Sequence, residues 1–186
     1  IDLNVSELVY NTKKIRKECM FVCIKGATFD SHDVAGEAAK NGASVIVAER
    51  PVDVPEGTTV VLVEDTRYAL ARISAAYFGY PAKKLKVIGI TGTKGKTTTT
   101  FMIRSILEHA GIPTGLIGTI EVIIGDRHIP AHNTTPESYE VQEYFAQMVE
   151  AGCKVVVMEV SSQGLKLHRT AGIQFDIGIF TNLAPD

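Results

Sequence analysis

Apolar residues along this chain come in short, often β-branched runs separated by polar stretches in which apolar positions recur at helical spacing. "CMFVCIKG" (Cys19–Gly26), "ASVIVAE" (Ala43–Glu49) and "TTVVLVED" (Thr58–Asp65) are such runs, each bounded by turn-forming residues, and they predict strands. Between the first two, "DVAGEAAKNGA" has helical composition, with Asp33 placed to cap its start and Gly42 to stop it. After the third, "TRYALARISAAYFGYP" predicts a helix that ends at Gly79 and Pro81. These elements make a small α/β unit.

"PAKKLK" (Pro81–Lys86) is a polar, proline-led stretch and predicts a boundary between one domain over residues 1–82 and another over 83–186. Beyond it the pattern predicts a strand over Leu85–Thr91, a glycine loop, a helix over Lys96–Ala110 and a strand over Thr114–Ile124. A polar loop to Pro136 then leads to a helix over Glu137–Ala151, a strand over Lys154–Val160 and a last strand over Asp176–Phe180. Strands alternating with helices imply an α/β fold built on a mostly parallel sheet. The chain opens at Ile1 and closes just after a strand-like run, so a truncated second domain is expected, as in a piece of a longer protein.

Composition adds enough apolar material for a core, at 45% hydrophobic and 22% charged. The 19 basic and 21 acidic residues are interspersed, with a formal net charge of -2. No basic stripe marks a nucleic-acid or membrane partner, so any phosphate recognition must be local. No apolar run approaches the roughly 18 residues of a membrane span and no leader opens the chain, which makes a cytoplasmic location the expectation. The three cysteines have no zinc spacing and read as reduced core thiols, with Cys19 and Cys23 on one face of their strand.

The chemistry concentrates in "VIGITGTKGKTTTT" (Val87–Thr100), where a buried-looking strand breaks into glycine and opens a helix. Gly92 and Gly95 let consecutive N–H groups curl around an anion, and the helix N-terminus adds partial positive charge. Lys96 reaches terminal phosphates, and the Thr97 hydroxyl suits a magnesium ion. The loop is a variant of the general pattern, because Ile90 stands five residues before Gly95. A glycine-rich turn bearing a surface lysine is the structural alternative. Thr98, Thr99 and Thr100 read as helix residues. Glu159 ends the run "KVVVMEV", at the sheet edge where ligands meet parallel strands; its alternative is an ordinary strand-end acid paired with a lysine.

"GTKGKTTT" resembles the phosphate loop of the Mur ligase superfamily. "HNTTPE" (His132–Glu137), "MEVSSQGLKLHR" (Met158–Arg169) and "FTNLAPD" (Phe180–Asp186) follow in the order and spacing of its MurE branch, the UDP-N-acetylmuramoyl-dipeptide to tripeptide ligases. The resemblance implies ATP and Mg2+ as cofactors and an acyl-phosphate route to an amide in peptidoglycan precursor synthesis. The substrates would be UDP-N-acetylmuramoyl-L-alanyl-D-glutamate and a diamino acid, lysine or meso-diaminopimelate, and a monomer is expected. Nucleotide contacts would come from Gly92, Thr93, Lys94, Gly95, Lys96, Thr97 and Thr98, with Lys96, Thr97 and Glu159 catalytic and Thr97 and Glu159 holding metal.

Substrate contacts would come from Asn133, Thr134, Thr135, Ser161, Ser162 and Arg169, the last gripping a carboxylate through its planar fork. Thr134 as a helix cap and Arg169 as a solvated charge are the structural alternatives. The first unit resembles the family's uridine-nucleotide domain, with Thr12 and His32 at binding positions. Asn11, Thr12 and Lys13 replace the usual Asp-Ser-Arg there, and helix initiation by Asp33 is the competing account of "FDSHD". The resemblance also places a third domain and a carbamylated lysine beyond Asp186, so this piece alone is expected not to sustain turnover. A different P-loop NTPase, a superfamily member with another substrate, and a non-catalytic relative are the competing readings; an Asn-Lys-x-Asp guanine motif is absent.

Overall fold

The computed structural model describes residues 5–184, so Asp186 of the "FTNLAPD" stretch lies outside them. The chain divides into two units, residues 1–70 and 71–186, and the division falls inside the helix Thr66–Tyr77, upstream of Pro81–Lys86.

The first unit is a four-stranded parallel sheet in the order β1 (Leu8–Val9), β2 (Cys19–Val22), β3 (Ala43–Ala48) and β4 (Thr59–Leu62). Helix α1 (Ala35–Lys40) supplies the crossover between β2 and β3. Phe21, Ile46, Cys19 and Cys23 are buried together under Ala35 and Ala38, so the two cysteines share a face as the strand pattern requires. The two-residue strand β1 has no sequence expectation because it is too short to carry a period.

The helix start differs from expectation. One 3-10 turn, Ser31–Val34, precedes α1, which moves the cap upstream from Asp33 to Asp30, whose carboxylate accepts from His32 N at 3.0 Å. Asp33 instead accepts from Arg50 Nη2 at 2.6 Å.

Helix α2 (Thr66–Tyr77) leads into the second unit. There the elements are β5 (Lys86–Thr91), α3 (Lys96–His109), β6 (Thr114–Ile117), β7 (Glu121–Ile124), β8 (Arg127–Pro130), α4 (Ser138–Glu150), β9 (Val155–Glu159), α5 (Ser162–Lys166) and β10 (Ile177–Phe180). The sheet runs β10-β5-β9-β6-β7-β8, parallel through β6 and antiparallel from there. Strict alternation divides the buried strands. Val87, Val156 and Met158 face Val141, Phe145 and Met148 of α4, whereas Ile88, Ile90, Val155 and Val157 pack with Ile103 and Leu107 of α3. Burying a parallel sheet on both faces in this way explains its near-continuous apolar runs.

The run expected as one strand over Thr114–Ile124 is a hairpin, β6 and β7, closed where Gly118 N donates to Glu121 O at 3.1 Å. The polar loop expected after it contains β8, whose Arg127, His128 and Pro130 are exposed and so leave no apolar signature. Short α5 leaves none either; the Ser161 side chain caps it, accepting from Gly164 N at 3.0 Å.

The parallel register brings the carboxyl ends of β5, β9, β6 and β10 to one edge: Ile90 is level with Glu159, Ile117 with Met158, and Phe180 with Thr91. Open α/β sheets receive ligands at that edge. Among the described residues no helix is long and apolar enough to cross a membrane.

Candidate active site

The loop Gly92–Gly95 leaves β5 and enters α3, with Gly95 in the N-cap position at φ +82°. Gly92 sits at φ +133°, and a Cβ there would come within 2.2 Å of Thr181 Oγ1. The reason for this closeness is that the segment after β10 is laced to the loop. Asn182 O accepts from Thr93 N and Asn182 Oδ1 from Lys94 N, both at 3.0 Å, while Thr181 Oγ1 donates to Lys94 O at 2.7 Å and Ala184 N to Thr93 Oγ1 at 3.1 Å. The amides of Thr93 and Lys94 are thus committed to shaping the loop. Those of Gly95, Lys96, Thr97 and Thr98 belong to the first turn of a 14-residue helix, whose first ladder bond runs from Thr99 N to Gly95 O. Gly92→Ala combines a disfavoured φ with overpacking and is expected to cost roughly 3 kcal/mol, read as a lower midpoint in thermal unfolding of the second unit.

Lys96 Nζ folds back over this loop and donates to Gly92 O at 2.7 Å and Thr93 O at 3.3 Å, leaving capacity in its three-donor ammonium for an anion in the cradle. Thr100 Oγ1 donates to Lys96 O at 2.8 Å, the back-bonded helical role expected of the trailing threonines.

Glu159, the last residue of β9, is 0% exposed. Its carboxylate accepts from Thr97 Oγ1 at 2.9 Å, from Thr119 N at 2.9 Å and from Thr119 Oγ1 at 3.0 Å. Among the described residues these are neutral donors and no ion pair reaches it, so the lysine partner of the structural alternative is absent. A carboxylate buried with hydrogen bonds and without a counter-charge among the described residues is an arrangement that a cation can complete. The β6–β7 turn closes over it so tightly that a Cβ on Gly118 would lie 2.5 Å from Glu159 Oε1.

Thr119 extends the network, because its hydroxyl is also 3.0 Å from Thr134 Oγ1. With one proton to give, the Thr119 hydroxyl stands as a donor between two acceptors, the carboxylate and Thr134 Oγ1. Thr119 had no sequence expectation: a single strand over Thr114–Ile124 hid the turn that presents it. Thr135 ties the same loop to β9, since its hydroxyl donates to Glu159 O and accepts from Ser161 N, both at 3.0 Å. Arg169 is mostly buried, with Nε 2.6 Å from Glu137 Oε1 and Nη1 donating to Thr135 O at 2.9 Å. It therefore holds the threonine loop in place and is not a solvated charge. Glu137, not Thr134, occupies the cap position of α4. Asn133 and Ser162 are exposed on the loop and on α5.

The structure thus brings Lys96, Thr97, Glu159, Thr134, Thr135, Ser161 and Arg169 into one connected neighbourhood at the carboxyl edge of the second sheet. Thr12 and His32 belong to the first unit. Thr12 lines a cleft of about 380 Å³ with Lys13, Ile15 and Phe29, the last exposed. His32 is buried, and both ring nitrogens are engaged: Nδ1 lies 2.6 Å from Asp30 Oδ1, and Nε2 accepts from Glu49 N at 3.0 Å. That pattern assigns the ring proton to Nδ1 and gives His32 the role of fixing its loop from within.

Burial raises the Asp30 pKa, but hydrogen bonds from His32 and Arg50 outweigh it and hold the carboxyl down at about 2. A depressed carboxyl contributes stability that is complete above its unfolded value of 3.8 and is lost as pH falls toward about 2. Acid titration of unfolding should show the first unit weakening across that window, and Asp30→Asn should flatten that part of the curve. Nearby, burial first and then the Asp30 charge push the Cys23 thiol up to about 12, with Glu49 adding and Arg50 opposing, so it remains a protonated core group.

Among the described residues no group of three or more His, Cys, Asp or Glu could hold a metal. A magnesium ion at Thr97 and Glu159 would therefore take its remaining ligands from phosphate oxygens and water, the usual habit of this ion beside nucleotides.

Residues 90–186 match the Mur ligase middle domain and residues 4–78 the Mur ligase family, catalytic domain; the interval between them contains Pro81–Lys86. The UDP-N-acetylmuramoyl-L-alanyl-D-glutamate--2,6-diaminopimelate ligase of Clostridium perfringens is 53% identical over 182 residues, 98% of this chain and 38% of that protein. Its counterpart in Caldanaerobacter subterraneus subsp. tengcongensis is 47% identical over 185 residues, again 38% of its length. A solved structure of a UDP-N-acetylmuramoyl-L-alanyl-D-glutamate--2,6-diaminopimelate ligase shares the fold with a TM-score of 0.85 at 23% identity, over 98% of this chain and 37% of that one. MurF ligase from Thermotoga maritima in complex with ADP aligns over 98% of this chain and 38% of its own, at 27% identity and a TM-score of 0.59. The chain spans under two fifths of the length of these relatives.

Proposed function

Because this chain belongs to the Mur ligase family, we propose that it supplies the uridine-nucleotide domain and the phosphate-loop half of an ATP-dependent amide ligase acting in the cytoplasm. The reaction joins a diamino acid to UDP-N-acetylmuramoyl-L-alanyl-D-glutamate through an acyl phosphate. The names of the relatives that match at 53% and 47% identity favour 2,6-diaminopimelate over lysine as the added amino acid.

The single observation that carries the reading is the fully buried Glu159, held by Thr97 of the phosphate loop and linked through Thr119 to Thr134. A simple kinase would use the loop, but the link into the threonine segment would have no role in it. In a ligase the γ-phosphoryl group and the carboxylate that receives it must meet, and this network joins the two places where they would be held.

Each residue then has a task. The first-turn amides of α3 and the Lys96 ammonium neutralise phosphate charge and stabilise it as it moves. Thr97 and Glu159 would hold Mg2+, which supplies Lewis-acid polarisation of the phosphate oxygens. Thr134, Thr135 and Ser161, with Asn133 and Ser162 exposed beside them, line the path of the carboxylate, and Arg169 fixes that segment through Glu137 and the Thr135 carbonyl. Positioning and electrostatics account for catalysis without a covalent nucleophile. In the first unit, the Thr12–Phe29 cleft offers an aromatic face for a base with Thr12 and Lys13 beside it, which suits a uridine nucleotide.

The reading is tested by phosphate release from the longest polypeptide carrying these 186 residues, with Mg2+, ATP and UDP-N-acetylmuramoyl-L-alanyl-D-glutamate, adding diaminopimelate or lysine. Release that requires the nucleotide-dipeptide and diaminopimelate is expected. Release indifferent to the nucleotide-dipeptide would assign the loop to another reaction, and none at all would favour a non-catalytic relative.

A further inference from the structure

At the opposite edge of the second sheet, where strands begin rather than end, the structure holds a cavity of about 740 Å³. Lys86 opens β5 and Lys154 directly precedes β9, one strand over, with Lys86 N donating to Lys154 O at 2.9 Å. Lys83 and Lys84 of the preceding 3-10 turn and Arg72 in the middle of α2 complete the lining on the basic side. Five cationic residues thus converge in a chain whose net charge is -2. Against them stands one acid, Asp176, and its carboxylate is already taken by Lys86 Nζ and Val87 N, both at 2.8 Å.

A second observation is independent of charge. Gln142 of α4 lines the same cavity, is 1% exposed, and its Oε1 has no hydrogen-bond partner among the described residues. Buried amide oxygens are nearly always satisfied, so an orphan beside a cavity marks a place for an N–H or O–H from outside the chain.

We propose that this cavity binds a phosphorylated small molecule that carries a hydrogen-bond donor, at a site separate from the phosphate loop. Four lysine ammoniums act as mobile point charges whose number suits a multiply charged phosphate, and Arg72 adds a planar fork of the kind that also binds phosphate. The volume lies within the ordinary range of small-molecule sites, and Ala75, Leu85 and Ile173 give the body of the ligand an apolar wall. The donor would meet Gln142.

The test is an amide-shift titration by nuclear magnetic resonance of the 186-residue chain, carrying Lys96→Ala so that the phosphate loop does not compete. Glycerol 3-phosphate is the probe and sulfate the anion without a donor. Shifts should appear at residues 83–86, 142, 154 and 173. Lys84→Glu with Lys154→Glu, both exposed, should weaken binding at least tenfold with an unchanged circular dichroism spectrum. Gln142→Leu should weaken glycerol 3-phosphate about fivefold and leave sulfate unaffected. Shifts confined to residues outside the cavity, or an affinity within twofold after charge reversal, would overturn the site. Equal binding of glycerol 3-phosphate by Gln142→Leu and its parent would overturn the assignment of the donor.

Discussion

In the longest polypeptide carrying these 186 residues, Glu159→Gln should abolish the metal-dependent turnover proposed above, by about a thousandfold in kcat, while leaving the fold intact. The substitution keeps the shape that three donors now surround, and the amide oxygen can still accept from Thr119 N. The new NH2 would face the hydroxyls of Thr97 and Thr119, which can rotate to accept. What disappears is the negative charge. Without metal, removing a buried charge that has no counter-ion should leave the thermal midpoint equal or higher. With ATP and Mg2+, the stabilisation that ligand binding gives the parent should be lost from the variant. Phosphate release and thermal unfolding of the same preparations separate these effects. Turnover within tenfold of the parent would show that Glu159 is a structural acid after all.

Lys96→Ala is expected to be comparably severe, roughly 10² to 10³ in kcat/KM, because an ammonium aimed at a phosphoryl group in a partly buried site does more in the transition state than before it. Its structural cost is small. The two loop carbonyls it now serves, Gly92 O and Thr93 O, would lose one donor each, a loss of about 1 kcal/mol set against the bonds that Thr181 and Asn182 still provide. Lys96→Arg should fail to restore activity, since a planar fork cannot take the place of a compact charge that sits 2.7 Å from Gly92 O and 3.3 Å from Thr93 O. Steady-state kinetics of the three proteins, with unfolding midpoints measured alongside, would decide the matter; full activity in Lys96→Arg would mean that only net charge matters there.

Several parts of the site were legible in the sequence for local reasons. Glycine before a helix, lysine and threonine after it, and a carboxylate at the end of an apolar strand each announce their place in the fold within a few residues. Other parts were not, because their meaning depends on distant partners. Asp33 has the composition of a helix cap, but one 3-10 turn shifts the cap to Asp30. Arg169 has the chemistry to grip a carboxylate, and the carboxylate it meets is Glu137 of its own chain. His32 carries a binding residue's motif and is held on both nitrogens by its own unit.

By itself, then, the sequence determined the α/β class, the alternation that buries a parallel sheet between α3 and α4, and the glycine loop that leads from β5 into α3 with Lys96 and Thr97 at the helix start, since all three follow from periodicity and local backbone chemistry. The tertiary structure alone decided that Glu159 has no counter-charge among the described residues, that Thr119 stands between it and Thr134, and that the segment after β10 shapes the loop. The physical reason is register: parallel pairing brings strand ends from residues 91, 117, 159 and 180 to one edge. Hydrogen bonds between such distant positions leave no period in the chain.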